Sequence, residues 1–160
     1  MLAGCGSVEQ RVHVQHDVDR LDARTRFAPI ELTVPGQLQL SNDDCTAFDS
    51  TLRAELSRRG LVATMGDPLT LEVRPNVVSW KIEGGVDNSF LATEGHAVVM
   101  VGVTLTDRDG RNAGNFRVTE RSEVSGALPR VLTTRLLESA AEALAEELAL
   151  AVEPAQQQLQ

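Results

Sequence analysis

The sequence predicts one α+β domain, in which a four- to five-stranded, mainly antiparallel sheet is covered by two helices. Three observations support this fold class. Several segments alternate apolar and polar residues, which is typical of strands. Two longer segments repeat apolar residues at three- and four-residue spacing, which is typical of amphipathic helices. Turn residues join the later strands closely, which favours antiparallel neighbours. The expected element order is β-α-β-β-β-α.

The composition is that of a globular protein. The chain has 160 residues, of which 42% are apolar, so it can bury one core without staples. Aromatic residues make up 3% and tyrosine is absent, so an aliphatic core is expected. The formal net charge of −8 argues against a nucleic-acid surface, because phosphate binding requires clustered cations. No apolar run approaches the ~20 residues needed to span a bilayer.

The first predicted strand covers residues 27–35, and a helix is expected from Ser41 to about Arg59. Ser41 is a preferred N-cap residue, and Gly60 can adopt the left-handed conformation that ends a helix. The helix carries one apolar stripe, formed by Cys45, Phe48, Leu52 and Leu56. We interpret Cys45 as a small core residue rather than as a disulfide partner or a reactive thiol.

The next two predicted strands cover residues 69–74 and 77–82, with Pro75 at a bulge between them. The second contains the single tryptophan, Trp80. A tryptophan late in a strand more often packs in the core or at its rim than serves as a platform for a ligand. Residues 83–95 are rich in Gly and Asp and are expected to form a loop.

The longest strand-forming run is His96–Thr106, and its residues are suited to packing on both faces. Such a strand usually lies in the centre of a sheet, covered at least in part on each side. The Asp107–Gly110 turn then predicts a hairpin to a strand over 115–125. The second half of that strand is polar on both faces, which indicates an exposed or edge position.

A final helix is predicted from about Arg130 to Val152. Its apolar face consists of Leu137, Ala140, Ala141, Leu144, Ala145 and Leu148. The single domain is therefore expected to cover residues 27–153, and residues 154–160 to form a disordered polar tail.

Residues Leu2–Cys5 read LAGC and resemble the lipobox of bacterial lipoproteins. In that motif small residues precede a cysteine that is lipidated and becomes the mature N-terminus. The resemblance implies an envelope protein anchored to the outer membrane through Cys5 and located in the periplasm. A complete signal sequence does not precede the motif in this chain, and an inert thiol in a disordered terminus is the alternative.

Residues 1–26 are expected to comprise the lipobox remnant and a polar tether, because residues 7–26 are charged and lack a sustained apolar period. His13, His16 and nearby aspartates could bind Zn²⁺ or Ca²⁺, but they match no full ligand set, so no metal site is predicted. No cofactor is expected either.

Element order and LAGC together resemble the small envelope lipoproteins of Gram-negative bacteria, among them LPS-assembly, transport-auxiliary and uncharacterised lipoproteins. The resemblance implies a non-catalytic role in binding or assembly, with another envelope protein as partner. A lipid or small-molecule carrier is the alternative. A hydrolase is less favoured, because no sequence pattern brings a nucleophile and a base together. The candidate partner-binding residues are Phe90 and Leu91, two adjacent apolar residues in a polar loop, together with Trp80.

Overall fold

The computed structural model describes residues 11–38, 40–83, 95–124 and 129–152. Its elements are β1 (Arg11–His16), β2 (Thr25–Pro29), α1 (Asn42–Arg58), β3 (Leu69–Glu83), β4 (Gly95–Thr106), β5 (Asn112–Val124) and α2 (Pro129–Ala151). The strands form one sheet in the order β1-β5-β4-β3-β2. Neighbouring strands are antiparallel except for the parallel pair β2 and β3. The predicted α+β class is confirmed, and the described elements have the order β-β-α-β-β-β-α.

Strand β1 lies inside the segment that the sequence predicted as a polar tether, so that prediction is wrong for residues 11–16. Val12 and Val14 alternate with His13 and Gln15, and the strand pairs with β5 along its length. The strand contains only two alternating apolar residues, Val12 and Val14, and charged residues surround them. The sequence of this segment therefore resembles that of a linker. The exact domain boundaries stay a prediction.

Strand β2 begins and ends earlier than predicted, at Thr25–Pro29 instead of residues 27–35. Its outer edge is covered, because the backbone N–H of Phe27 donates to the carbonyl of Leu61 at 2.8 Å and that of Ala63 donates to the carbonyl of Phe27 at 2.8 Å. Beyond β2 the chain stays hydrogen-bonded to β3, through the Ile30 N–H to Val73 at 2.9 Å and through an isolated bridge between Thr33 and Asn76.

Strand β3 is continuous, whereas the sequence predicted a break at Pro75. The ladder to β4 passes through Pro75, which pairs with Val103, and its register shifts between Val77 and Ser79. The Val77 N–H donates to Thr33 on the β2 side of the strand. The backbone nitrogen of Pro75, two residues earlier, therefore also faces that side. Proline is tolerated there because regular pairing with β2 has already ended at Val73.

Strand β4 is the central strand, as the sequence predicted. One of its faces is covered by the helices and is almost fully buried, at Ala97, Val99, Val101, Val103 and Leu105. The partner residues Val118 and Phe116 of β5 and Val73 and Val77 of β3 lie on the same covered face. The aliphatic core therefore sits between this face and the helices.

The polar second half of β5 is buried on one face and exposed on the other, at Arg121, and it does not lie at an edge, so the prediction of an edge position is wrong. β5 lies between β4 and β1. Glu120 and Ser122 point to the covered face and are 0% and 1% exposed. Polar residues in a strand usually indicate solvent, but Glu120 and Ser122 lie beneath α2.

Helix α1 begins and ends as predicted. Ser41 is its N-cap and forms a reciprocal capping box with Asp44, while Gly60 follows the C-cap with a φ of 69°. Phe48, Leu52 and Leu56 are fully buried, and Cys45 is half-buried against the core. The two helices are joined by a hydrogen bond of 2.9 Å from the Thr134 hydroxyl to Asp44.

Helix α2 runs antiparallel to β5 over the covered face. Glu142 lies close enough to Glu120 for their charges to interact. Further along α2, a Glu147 oxygen lies 3.8 Å from the His16 Nε2, and the His16 and Phe116 rings are 5.3 Å apart. From Glu142 to Glu147, helix α2 therefore runs along β5 from residue 120 towards residue 116, opposite to the direction of the strand. Within the described residues, neither helix is long and apolar enough to cross a membrane.

Candidate functional site

The face of the sheet opposite the helices is the candidate site, and we call it the open face. No described helix lies over it, because α1 and α2 pack on the other side. Strand register and the contact of Val78 with Gly102 assign its described residues, which include His13 and Gln15 of β1, Asn115, Arg117, Thr119 and Arg121 of β5, Val98, Met100, Gly102 and Thr104 of β4, and Glu72, Arg74, Asn76, Val78, Ser79 and Lys81 of β3. These residues are exposed or half-buried.

The centre of the open face is a shallow depression of about 440 Å³ above Gly102. A Cβ on Gly102 would lie 3.1 Å from Asn76 Oδ1 and 3.1 Å from Val78 Cγ2. Glycine therefore allows these two side chains to lie close to the central strand. Val78 is 47% exposed, which places an apolar group on the floor of a mainly polar surface.

The open face is cationic although the chain as a whole has a net charge of −8. Arg117 and Arg121 are exposed on β5, and Lys81 is exposed on β3. Arg74, also on β3, forms an ion pair with Glu72. An arginine fork binds carboxylates in a bidentate manner, so this surface is suited to an acidic partner.

Asp17 forms one rim of the depression and fixes the end of β1 to β5. Its carboxylate accepts hydrogen bonds from the Asn115 backbone N–H at 2.7 Å and from the Asn115 side-chain amide at 3.0 Å. These bonds favour the ionised form and lower the pKa of Asp17. The rim is therefore a fixed polar turn.

On the covered face, Glu120 is a buried carboxylate beneath α2. Neither of its oxygens has a hydrogen-bond partner among the described residues. The pKa of Glu120 is raised to about 7, mainly because burial disfavours the charged form; the Ser139 side chain opposes this shift and the charge of Glu142 adds to it. Glu120 is therefore about half protonated at neutral pH. Glu120 faces the packed core beneath α2.

A second depression, of about 540 Å³, lies between α1 and the chain that follows β2. Its lining includes Cys45 and Asp49, and the Asp49 carboxylate accepts the Leu32 N–H at 2.9 Å. Burial raises the pKa of the Cys45 thiol, and the charges of Asp49 and Asp44 add to this effect. A raised thiol pKa disfavours the nucleophilic thiolate, which agrees with the interpretation of Cys45 as a packing residue.

The structure describes one of the residues that the sequence proposed for partner binding. Trp80 pairs with Val99 in the ladder, so it points to the covered face, where it is half-buried and packs against the core. Phe90, Leu91 and the lipidation residue Cys5 lie outside the described residues. Within the described part of the chain, His, Cys, Asp and Glu side chains form no group of three that could hold a metal ion.

Sequence reasoning missed the open face as a site. Its signal was the spacing of Arg117, Thr119 and Arg121, which places two arginines on one side of a strand. The two arginines identify an open face only once it is known that α2 covers the other face of β5. The sequence does not show this, because the covered face carries Glu120 and charged residues are rarely buried.

No family model matches the sequence, and no curated protein matches it. Solved structures show that its fold is one that other bacterial proteins share. Two crystal structures of a PelC dodecamer from Paraburkholderia phytofirmans align with it at a TM-score of 0.53, with 19% and 18% identity, and the match covers 84% of this chain and 98% of each PelC chain. A Xanthomonas campestris protein of the DUF330 family aligns at a TM-score of 0.51 and 12% identity, covering 86% and 90% of the two chains.

Proposed function

We propose that this chain is a non-catalytic lipoprotein of the bacterial envelope, anchored to the outer membrane through Cys5, and that its open face binds another protein. The cationic open face carries the binding part of the proposal. It presents Arg117, Arg121 and Lys81 beside exposed Val78 in an acidic protein. Mixed arginine and apolar surface of this kind is typical of protein interfaces.

The anchoring part rests on the LAGC sequence at residues 2–5. Strand β1 begins at Arg11, six residues after Cys5, which at full extension span about 20 Å. A lipidated Cys5 would thus hold the domain close to the bilayer by the N-terminal end of β1. A protein held this way is suited to docking a partner at the membrane surface.

The comparison with PelC supports a role in assembly. The two PelC structures are dodecamers with a fold like that of this chain, so the fold is compatible with extensive protein–protein contacts. A carrier role has less support, because the depression on the open face is shallow and lined by polar and apolar groups in similar amounts, whereas small-molecule sites are mostly apolar clefts that bury their ligand.

Two experiments test the two parts separately. The chain is expressed in a Gram-negative host behind a lipoprotein signal sequence, and mass spectrometry should then find a lipid-modified cysteine at residue 5, with Cys5→Ala released from the membrane fraction. Recovery of unmodified chain in the soluble fraction would contradict the anchor.

For the open face, a photo-crosslinking amino acid is placed at residue 117 and, as a matched control, at exposed residue 53 on α1. Crosslinking in intact cells should give a discrete protein adduct from residue 117 and none from residue 53. Equal adduct patterns from both positions would remove the open face as the binding surface.

A further inference from the structure

We propose that the open face of one copy docks on helix α2 of a second copy, so that copies stack head to tail. The inference rests on the proposed function, since it names the protein that the open face binds. It is carried by the charges of the two surfaces and by their positions in the domain.

The two surfaces have opposite charge. Among the described side chains, the open face carries four cations, at Arg74, Lys81, Arg117 and Arg121, and one anion, Glu72, which is paired with Arg74. The second half of α2 contains four glutamates and no cation, at Glu138, Glu142, Glu146 and Glu147. Glu142 and Glu146 are exposed. In a chain with a net charge of −8, this separation of charge between opposite sides of one domain favours contact between copies.

The spacing of the charges is similar on the two surfaces. Arg117 and Arg121 are four residues apart on a strand, which corresponds to about 13 Å. Glu138 and Glu146 are eight residues apart on a helix, which corresponds to about 12 Å. A strand laid along the helix can therefore bring both arginines opposite glutamates at the same time.

The charges also occur at matching levels along the domain. Glu142 lies beside Glu120, which is the residue next to Arg121 on β5. Glu147 lies beside His16, which pairs with the residue next to Arg117.

Helix α2 covers β5 on one side, and the arginines extend from β5 on the other side. A second copy that is shifted only perpendicular to the sheet therefore places its arginines over the α2 glutamates of the first copy, without any shift along the strands. Arg121 then lies opposite Glu138 and Glu142, and Arg117 lies opposite Glu146. The shift is about 20 Å, the thickness of one sheet and one helix layer.

The proposed contact is heterologous, because two different surfaces meet. Exact translation would give an open stack, whereas a constant rotation at each contact would close the stack into a ring. In an open stack every β1 begins at the same side of the assembly, and the same holds for a ring whose axis runs along the strands. In these two arrangements all Cys5 anchors can enter one bilayer.

Charge reversal tests the contact on the full 160-residue chain, produced without lipid and studied by sedimentation velocity over a wide concentration range. The wild type should self-associate at low salt and dissociate as salt is raised. Arg117→Glu with Arg121→Glu, and separately Glu142→Arg with Glu146→Arg, should each weaken the self-association about tenfold to a hundredfold. An equimolar mixture of the two double variants should assemble again, because each then meets a partner of restored complementarity.

Arg108→Glu with Arg111→Glu is the matched control, since it makes the same change of net charge at exposed positions of the β4–β5 turn. It should leave the association unchanged. A wild type that stays monomeric, or a mixture that does not reassemble, would overturn the proposal. If the chain is monomeric while residue 117 still crosslinks to a different protein in cells, self-docking is wrong and the proposed function stands. Binding of the wild type to anionic phospholipid vesicles in place of self-association would assign the open face to a lipid surface and overturn both.

Discussion

The two faces of the sheet bury their residues to very different degrees, and β4 shows the contrast within one strand. Val99, Val101 and Val103 of the covered face are 0 to 2% exposed, whereas Val98 and Met100, which alternate with them, are half-buried. The sequence is apolar on both faces, and cover on both faces was expected from it. In the described structure the helices cover only one face. The apolar residues of the open face therefore lie outside the core, on the surface that we propose for binding.

The largest effect is expected when a carboxylate is introduced into β4, on the covered face in one variant and on the open face in another. Val101→Asp should abolish soluble folding, because an unpaired buried carboxylate costs several kcal/mol against a total stability of about 5–15 kcal/mol. Thr104→Asp, three residues away on the open face, should change the stability little. Chemical denaturation of both variants checks this, and similar midpoints would mean that the two faces do not differ in burial.

A second prediction concerns Glu120, the polar exception on the covered face. Its pKa of about 7 in the folded state lies above the usual value of 4.5, so the folded state holds its proton more tightly than the unfolded state does. Stability is then highest below about pH 4.5 as far as this group is concerned, falls as pH rises from there to about 7, and is constant above. Glu120→Gln should therefore stabilise the protein by about 1–3 kcal/mol at pH 8 and by little at pH 4.5.

Urea denaturation at several pH values measures the effect, with exposed Glu146→Gln as the matched control. The control should not change the pH dependence of stability. A Glu120→Gln variant whose free energy of unfolding ran parallel to that of the wild type at every pH would show that Glu120 is not buried as described.

The smallest effect is expected at the rim of the open face. Asp17→Ala removes the two hydrogen bonds from Asn115 and should lower Tm by roughly 1–4 °C at neutral pH. Because these bonds lower the pKa of Asp17, the difference from the wild type should shrink as pH falls through that pKa. Asp109→Ala, at an exposed turn position, is the control for thermal melts. Equal melting of both variants would show that the rim is not fixed by Asp17.

Local patterns in the sequence predicted the fold class, the cap at Ser41, the end of α1 at Gly60 and the central position of β4 correctly. These features depend on neighbouring residues, whose spacing is visible in the sequence. The sequence failed where an element depends on distant partners. β1 is a strand because β5 pairs with it, and Glu120 is buried because α2 lies over it. Trp80, one of the candidate binding residues, packs against the core, which is the commoner position for a tryptophan late in a strand, and the shift of register after Val77 turns it there. Nothing in the local sequence specifies that shift.

The pairing of β1 with β5 has a consequence for the order of folding. Arg11 pairs with Arg121, so 110 residues (121 − 11) separate two strands that are neighbours in the sheet. Closing so long a loop is slow, because its entropic cost is paid before the contact forms. The hairpin of β4 and β5, with a turn of a few residues, forms its contacts locally and without that cost. The chain segment nearest to Cys5 is therefore expected to join the sheet last, after the strands that recognise it have been made.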